Sequence, residues 1–275
     1  MKRCCAIVAV LVVVLLCLGD VGSQLPVPVA EIHCKHFLHG YPLGAPSSSD
    51  LIIRECYALS ANDDRKFPDW VCYCLSGHEV DGDLPLDRQW HNDPWLEETE
   101  TLEAEPAGAD DYHRASIEQD YDRGHLAPLG SFRNSRFAAQ VNLYSNIVPM
   151  CSALNRGPWN RLEEDVRALV ARYGRVWVMA GPLYESSMPV LPHCDEMHTV
   201  PSAFWKIVTV DDFGTLCSAA FIMEQTAPFI SAPLGYVAAI DDVERRSGLD
   251  FFRDLPDGKE DLLEVAANSA WVETW

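Results

Sequence analysis

The sequence predicts a single α+β domain, and three observations support this prediction. Short runs rich in β-branched and aromatic residues alternate with polar turns, which is typical of strands. One longer segment has apolar residues at three- and four-residue steps, which indicates a helix. The 275 residues show no internal repeat and no Gly/Ser linker, and they are enough to bury one substantial core. One domain that mixes strands and helices is therefore the simplest account.

The first 23 residues have the pattern of a secretory signal peptide. Two basic residues precede an unbroken apolar run over residues 4–18, which is short for a membrane span. Small residues at 21–23 suit cleavage, and an uncleaved membrane anchor is the alternative. We therefore expect a secreted protein without stable membrane association after signal removal, beginning with an extended lead-in over residues 24–50 that is rich in Pro, Gly and Ser.

The single folded domain is predicted to span residues 51–275. Residues 51–59 and 69–75 are predicted strands, joined by a polar turn at 60–66. Residues 89–113 contain many acids and no Lys or Arg, and we interpret them as a solvated acidic loop.

The second half of the chain contains the long helix. A β-like run, NLYSNIVPM (142–150), precedes the helical segment GPWNRLEEDVRALVARYG, in which Pro158 suits the first turn and Gly174 the end. Three further strands are predicted at residues 175–181, 203–210 and 216–223, and a further helix at residues 240–252. Asp241 or Asp242 is the expected cap of this last helix.

Seven of the ten cysteines lie outside the signal sequence. In an oxidising compartment they can form up to three disulfides and leave one thiol. Cys72 and Cys74 share one face of a predicted strand, near the limit of reach for each other, so we expect their partners elsewhere. The segment PHCDEMH (192–198) has the residue types of a metal site, but we favour a loop with a disulfide cysteine.

The charge balance restricts how this protein could act on a polyanion. A formal net charge of −20 argues against a broad basic surface for nucleic acid. Work on a phosphate backbone would have to depend on local arginines and a metal ion.

One group of residues in the sequence is a candidate catalytic site. DRGHLAPL (122–129) ends a predicted strand with a histidine, a second strand follows, and a helix enters at an asparagine. In such a β-β-α unit His125, Asn146, Asn155 and Glu163 can converge on one cleft. Glu163 lies about 80° around the helix from Asn155 at 100° per residue, so it would reach that cleft only through water or by a bent approach.

These residue types suit the cleavage of a phosphodiester. A neutral imidazole can take a proton from water near pH 7. A hard divalent cation with oxygen ligands can stabilise the phosphate and the leaving oxygen, and guanidinium groups can bind phosphate in bidentate fashion.

The order DRGHLAPL, NLYSNIVPM, LNRGPWNRLE resembles the DNA/RNA non-specific endonuclease family. These are the ββα-metal (His-Me finger) nucleases, which include secreted sugar-non-specific nucleases and mitochondrial endonuclease G. The resemblance extends over residues 50–256 and includes DRQWHNDP, VMAGPLYE and HTVPSAFWKIV. A lone D-R-G-H is weak, but D-R-G-H followed by N-x-x-x-W-x-x-L-E is strong. The resemblance implies a central mixed, largely antiparallel sheet flanked by helices.

The same resemblance implies a role for each site residue. His125 would be the general base, and Asn155 the direct protein ligand of Mg²⁺, for which Mn²⁺ could substitute. Glu163 would orient water on the metal, and Asn146 would position the histidine loop or the water. Arg88 would stabilise the transition state and Arg123 would help with the phosphate. Asp122 belongs to the motif, but its role is left uncertain. Alternatives stay open for four residues: Asn155 only caps the helix, Glu163 is a solvated acid on the helix, Asn146 only hydrogen-bonds a loop, and Arg123 forms a salt bridge to Asp122 or Asp120.

The implied function is that of a secreted, Mg²⁺-dependent endonuclease acting on DNA and RNA. Binding would be mainly through the phosphate backbone, and the products would carry 5′-phosphates. A catalytically silent nucleic-acid-binding relative and a mitochondrial enzyme are the alternatives, although the N-terminus lacks the Arg- and Ser-rich pattern of a transit peptide. A homodimer is left open.

Overall fold

The computed structural model describes residues 31–104 and 110–275, and the predicted signal peptide lies outside these ranges. The strands are β1 (Asp50–Ile53), β2 (Ala58–Ala61), β3 (Trp70–Ser76), β4 (Tyr121–His125), β5 (Ile147–Cys151), β6 (Arg175–Leu183), β7 (Ala203–Asp212), β8 (Thr215–Glu224) and β9 (Val237–Ala238). The α-helices are α1 (Gly77–Val80), α2 (Ala115–Glu118), α3 (Ser152–Leu154), α4 (Asn160–Tyr173), α5 (Ile240–Ser247), α6 (Asp257–Glu264) and α7 (Ser269–Val272). No helix in the described ranges is long and apolar enough to cross a bilayer.

A seven-stranded sheet organises these elements. Its strand order is β1-β2-β3-β6-β7-β8-β9, and β4 and β5 form a separate two-stranded sheet. All strand pairs in the described residues are antiparallel, and the one parallel pairing there is an isolated bridge between His91 and Leu143. The predicted α+β fold with a largely antiparallel sheet is confirmed, whereas the expectation of a mixed sheet is wrong.

The large sheet is covered on both faces, because successive side chains of its buried strands alternate between two cores. Phe204 and Val208 of β7 belong to the core that contains Trp159 and the apolar side of α4. Trp205 and Ile207, which alternate with them, belong to the core that contains α5. The helix predicted from apolar periodicity is therefore confirmed, and it packs where the two-stranded sheet meets the large one.

The segment before β1 also contributes to the second core. Residues Ile32–Trp275 form one unit, and Phe37 and Tyr41 pack against the core formed by Trp70 and its neighbours. Leu43 forms an isolated antiparallel bridge with Asp250.

Local structure differs from the sequence predictions at three places. The predicted strand 51–59 is two strands, because the chain reverses at residues 54–57 and β1 pairs with β2. Only the second half of NLYSNIVPM is a strand, and its first half forms 3₁₀ turns that end at Asn146. Helix α5 begins after Ala239 without a side-chain cap, so Asp241 and Asp242 lie inside its first turn, where acids interact favourably with the helix dipole.

The cysteines and the acidic segment also differ from expectation. All seven cysteines within the described residues are free, so the predicted disulfides are not formed in this structure. The segment 89–113 is not a purely solvated loop, since Asp93, Leu102 and Asp111 are buried. Asp93 is paired with the buried Arg54, a cation from outside the segment that the local sequence could not reveal.

Candidate active site

The segment from β4 to α4 forms the β-β-α unit that the sequence predicted. Strand β4 carries the D-R-G-H residues, β5 pairs with it, and the chain then enters α3, a π turn over Asn155–Trp159 and α4. Gly124 lies against Met150 on β5, and a Cβ at this glycine would lie 2.7 Å from the Met150 Cβ. The glycine of the motif is therefore needed for the close approach of the two strands.

The π turn changes the register between Asn155 and Glu163. Gly157 inside it has φ −100° and ψ −116°, which is not helical, and the preceding turn α3 places Asn155 within a helical segment. The 80° separation expected on a regular helix therefore does not apply. Asn155 and Glu163 line the same cleft.

This cleft has a volume of about 450 Å³ and contains most of the predicted site residues. Its lining consists of Arg88, His125, Pro128, Leu129, Gly130, Asn155, Arg156, Asn160, Glu163 and Arg167. Three arginines and one glutamate make it locally basic on a chain whose net charge is −20. The structure thus brings together four of the predicted residues, which are His125, Asn155, Glu163 and Arg88.

The hydrogen bonds around His125 decide its tautomer. The Asn142 Nδ2 donates to the backbone oxygen of Asp87 at 2.7 Å, so its Oδ1 is the atom that faces His125 Nε2 at 3.0 Å. An amide oxygen only accepts, so Nε2 must carry a hydrogen. In the neutral ring Nδ1 is then the unprotonated nitrogen that can act as a base.

Packing around the ring keeps His125 neutral. Burial lowers its pKa to about 4, although the hydrogen bond with Asn142 opposes this change. The ring centroid lies 5.3 Å from that of Trp90, and the His125 backbone oxygen accepts a hydrogen bond from Trp159 Nε1 at 3.2 Å. A ring fixed in this way is ready to accept a proton throughout the neutral range.

Asp122 fixes the amide of Asn155. The Asn155 Nδ2 donates to Asp122 Oδ2 at 3.0 Å, and Arg156 donates to both oxygens of the same carboxylate at 2.8 and 2.6 Å. Because a carboxylate only accepts, the Asn155 Oδ1 must point away from it and is available as an oxygen ligand. The role of the motif aspartate, which the sequence left uncertain, is therefore to orient Asn155.

A fully buried lysine lies beneath Glu163. The Lys206 Nζ is 3.8 Å from Glu163 Oε1 and 3.9 Å from the centroid of the Trp159 ring. Burial lowers the pKa of Lys206 to about 8 and raises the pKa of Glu163. The charge of each residue opposes these shifts, because it favours the ionised form of the other. Lys206 thus supplies the positive charge that allows a carboxylate at the base of the cleft.

Two predicted site residues do not line the cleft. The Arg123 guanidinium donates to both oxygens of Asp110 at 2.7 Å and to the Tyr144 hydroxyl at 2.7 Å, so its salt bridge is with Asp110 and not with Asp122 or Asp120. Asn146 is fully buried and hydrogen-bonds both backbone groups of Ala127, which fixes the loop after His125.

Besides Arg156, which adjoins Asn155, three residues of the site were not predicted from the sequence. Arg167 lies one turn beyond Glu163 on α4, and an i, i+4 search from that glutamate would have found it. Lys206 interrupts an apolar strand, which is itself a signal, because an unpaired lysine is rarely buried. Asn142 gave no local signal, since it is one of several polar residues in a turn.

Comparisons with known proteins agree with this geometry. Residues 38–258 match the sequence model of the DNA/RNA non-specific endonuclease family. The chain is 37% identical over 231 residues to a nuclease of Serratia marcescens, covering 82% of this chain and 83% of that protein. It is 29% identical over 232 residues to the mitochondrial nuclease EXOG of Mus musculus, covering 77% of this chain and 59% of that protein.

A solved structure, that of the complex of EndoG with EndoGI, describes the inhibition of EndoG and superposes on this chain. The TM-score is 0.63 at 25% sequence identity, covering 80% of this chain and 91% of that one. The α+β architecture with its β-β-α unit is thus the ββα-metal fold that the resemblance implied. With most of its length matched, the chain belongs to the DNA/RNA non-specific endonuclease family and is a phosphodiester-cleaving nuclease.

Proposed function

We propose that this nuclease is a Mg²⁺-dependent hydrolase of both DNA and RNA, with His125 as its general base. One observation carries the proposal: a neutral imidazole and an amide oxygen oriented by Asp122 line the same cleft. Attack by water on a phosphodiester needs a base next to a site for a cation, and this cleft offers both.

The residues present suit Mg²⁺. Asn155 offers a free amide oxygen and Glu163 offers carboxylate oxygens, and among the described residues the cleft lining contains no sulfur or second imidazole. Magnesium prefers oxygen ligands and keeps several waters, so one amide ligand with a carboxylate nearby is a sufficient set. When bound there, the ion would hold a phosphate oxygen and stabilise charge on the leaving oxygen.

The protein's own groups would then carry the rest of the reaction. His125 Nδ1 takes the proton from the attacking water. The Asn142 Oδ1 accepts the hydrogen bond from Nε2–H, which keeps the hydrogen on Nε2 and leaves Nδ1 unprotonated. Glu163, held ionised by Lys206, accepts hydrogen bonds from water in the cleft. Cleavage of the bond to the 3′ oxygen leaves a 5′-phosphate.

The cleft arginines would bind the substrate. Arg88, Arg156 and Arg167 place guanidinium groups around one small volume, where they can donate to phosphate oxygens. Contacts to the backbone carry no sequence information, so we expect little sequence preference and activity on both nucleic acids. Arg123 would act from behind the site through Asp110 and Tyr144 instead of touching phosphate.

Digestion of supercoiled plasmid and of single-stranded RNA tests the proposal. Purified protein should cut both with Mg²⁺, lose activity in EDTA, and regain it with Mg²⁺ or Mn²⁺. The Asn155→Ala variant should need far more Mg²⁺ than the wild type, and an Asn134→Ala variant, at a half-buried position outside the cleft lining, should behave normally. Full activity in EDTA would refute the proposal.

The location of the protein follows from a separate part of the chain. We propose export, on the basis of the basic start and apolar run of residues 1–23. Sequencing the N-terminus of the mature protein decides between export and a mitochondrial enzyme, and sedimentation of the same sample tests for a homodimer. A mature start near Gln24 is the expected result.

A further inference from the structure

A second group of acidic and sulfur ligands lies outside the catalytic cleft. Asp111, Cys194 and Glu196 each offer one ligand atom, and these three atoms lie within 4.8 Å of one another. In a tetrahedral zinc site, two ligand atoms at bond lengths of about 2.0 to 2.3 Å lie about 3.3 to 3.8 Å apart, so the triad atoms would have to move by about 1 Å. Small side-chain movements would therefore bring all three onto one ion. We call these three residues the acidic-thiol triad.

At this place, one oxygen of each of two buried carboxylates has no hydrogen-bond donor among the described residues. Asp111 is 1% exposed, and its Oδ1 has no partner within the described residues. Glu103 is 7% exposed, and its Oε1 is similarly without one in that part of the chain. A buried carboxylate oxygen without a partner is costly, and buried charges in proteins are normally paired or bind metals. These two oxygen atoms are therefore available to bind a cation.

The pKa values of the carboxylates and the thiol in this group also support a cation site. Burial raises the pKa of Glu103 to about 7, and the nearby carboxylates of Glu196 and Asp111 raise it further. Burial and Asp111 together also raise the pKa values of Cys194 and Glu196. The raised pKa values favour the protonated, uncharged forms, so the ionised forms of these groups require a nearby positive charge.

The backbone around the triad is held in place independently. Residues 103 and 111 are joined by two hydrogen bonds, from the Glu103 N–H to Asp111 Oδ2 and from the Asp111 N–H to the Glu103 oxygen. On the other loop, His198 Nε2 accepts from the Leu191 N–H and Nδ1 donates to the Glu196 oxygen. Both nitrogens of His198 are thus occupied, and it is not a ligand.

We infer that Asp111, Cys194 and Glu196 form a structural zinc site, with a fourth position beside Glu103 for water or carboxylate. A thiol with carboxylates favours a borderline-soft ion such as Zn²⁺ over Mg²⁺, which prefers oxygen alone. Binding would release the Cys194 thiol proton to solvent as the sulfur–zinc bond forms. The ion would join Asp111 to the loop around Cys194, and Asp110, which adjoins Asp111, is the partner of Arg123.

Cobalt is the probe that tests this site, because a thiolate bound to Co²⁺ gives a charge-transfer absorption in the near ultraviolet. Full-length mature protein is first treated with chelator and then titrated with Co²⁺. We expect the band to saturate at one equivalent, to disappear when Zn²⁺ is added, and to persist in excess Mg²⁺. In the part of the chain that the structure describes, two other triads could hold an ion, but they contain only oxygen ligands and cannot give this band; they are Asp50, Asp63, Glu100 and Asp241, Glu244, Glu264.

Matched variants separate this site from the rest of the molecule. Cys194→Ser should abolish the band and Glu196→Gln should weaken cobalt binding, whereas Cys217→Ser and Asn155→Ala should leave both unchanged. Circular dichroism of each variant checks folding, and Glu196→Gln, at a half-exposed position, serves if Cys194→Ser does not fold. The absence of a band, a band that survives Cys194→Ser, or a disulfide at Cys194 in the purified protein would overturn the inference. Nuclease activity takes no part in this readout, so the result is independent of the proposed function.

Discussion

The catalytic cleft and the acidic-thiol triad handle charge in opposite ways. In the cleft each carboxylate has a cation: Asp122 accepts from Arg156, and Glu163 faces Lys206. At the triad, the Asp111 Oδ1 finds no partner in the described chain. Where partners are complete, each hydrogen bond orients a side chain and leaves one defined atom for chemistry. Where the hydrogen-bond partners are incomplete, a carboxylate oxygen remains for the proposed ion to bind.

The largest effect in the cleft is expected from loss of the base. His125→Ala should lower kcat by about 10²- to 10⁴-fold, because proton transfer by a positioned base contributes about that much. Binding of nucleic acid, measured by fluorescence anisotropy with Ca²⁺ in place of Mg²⁺, should change little.

His78→Ala is the matched control, since this histidine is exposed and lies outside the cleft. It should stay within about twofold of the wild type, as surface substitutions generally do. Near-normal turnover by His125→Ala would remove His125 from the mechanism and favour a catalytically silent binding protein.

The next largest effect is expected from Asp122, which orients Asn155 without being a ligand. Asp122→Ala should raise the Mg²⁺ concentration for half-maximal activity by about 10- to 100-fold, as is usual when the partner of a metal ligand is removed. Activity should largely return at high Mg²⁺. The control is Asp83→Ala, at an exposed position, and an unchanged Mg²⁺ requirement for Asp122→Ala would show that Asn155 is not oriented in this way.

The buried lysine predicts a pH effect. Glu163 functions as the ionised form, burial raises its pKa, and the charge of Lys206 lowers it. In Lys206→Met the pKa of Glu163 should rise further, so the low-pH limb of kcat/KM should move to higher pH by about one unit.

A pH profile of plasmid cleavage at saturating Mg²⁺ measures this shift, with the exposed Lys259→Met as the control. If kcat/KM falls at the same acidic pH in Lys206→Met and in Lys259→Met, Lys206 contributes packing and not charge. Since the His125 pKa is lowered to about 4, His125 itself should limit activity only in stronger acid.

The smallest effect concerns the arginines. Three cleft guanidiniums that contact phosphate predict a slope of about −2 to −3 for log(kcat/KM) against log[salt], at about −0.9 per contact. Arg167→Ala should make the slope shallower by about 1, while Arg133→Ala, outside the cleft, should leave it unchanged. If the salt dependence of kcat/KM has the same slope in Arg167→Ala and Arg133→Ala, Arg167 does not contact the substrate.

Parts of the fold with a regular hydrophobic period could be predicted from the sequence, and parts set by irregular backbone could not. The apolar runs of β6 to β8, with their β-branched and aromatic residues, and the periodicity of α4 are strong local signals. The hairpin between β1 and β2 was missed because residues 54–57 contain no Gly, Pro or Asn to mark the turn.

For the site, the linear motif located His125, Asn155 and Glu163 in one cleft, but it could not identify their partners. Lys206 reaches Glu163 because of the register of β7 in the sheet, which no local pattern specifies. Arg123 was expected near phosphate because it adjoins the histidine. Its actual partner, Asp110, lies in an acidic segment whose folding against the domain depends on long-range contacts.

The glycine inside the π turn links Asn155, the proposed metal ligand, to a distant loop. A Cβ at Gly157 would lie 2.7 Å from the Phe229 backbone oxygen, and Arg161 hydrogen-bonds the backbone of Ser231 in the same loop at 2.7 Å. A shift of that loop would therefore tilt the Asn155 amide. Directed evolution aimed at a different ion preference should accordingly diversify residues 229–231, some seventy positions downstream of the residue whose chemistry would change.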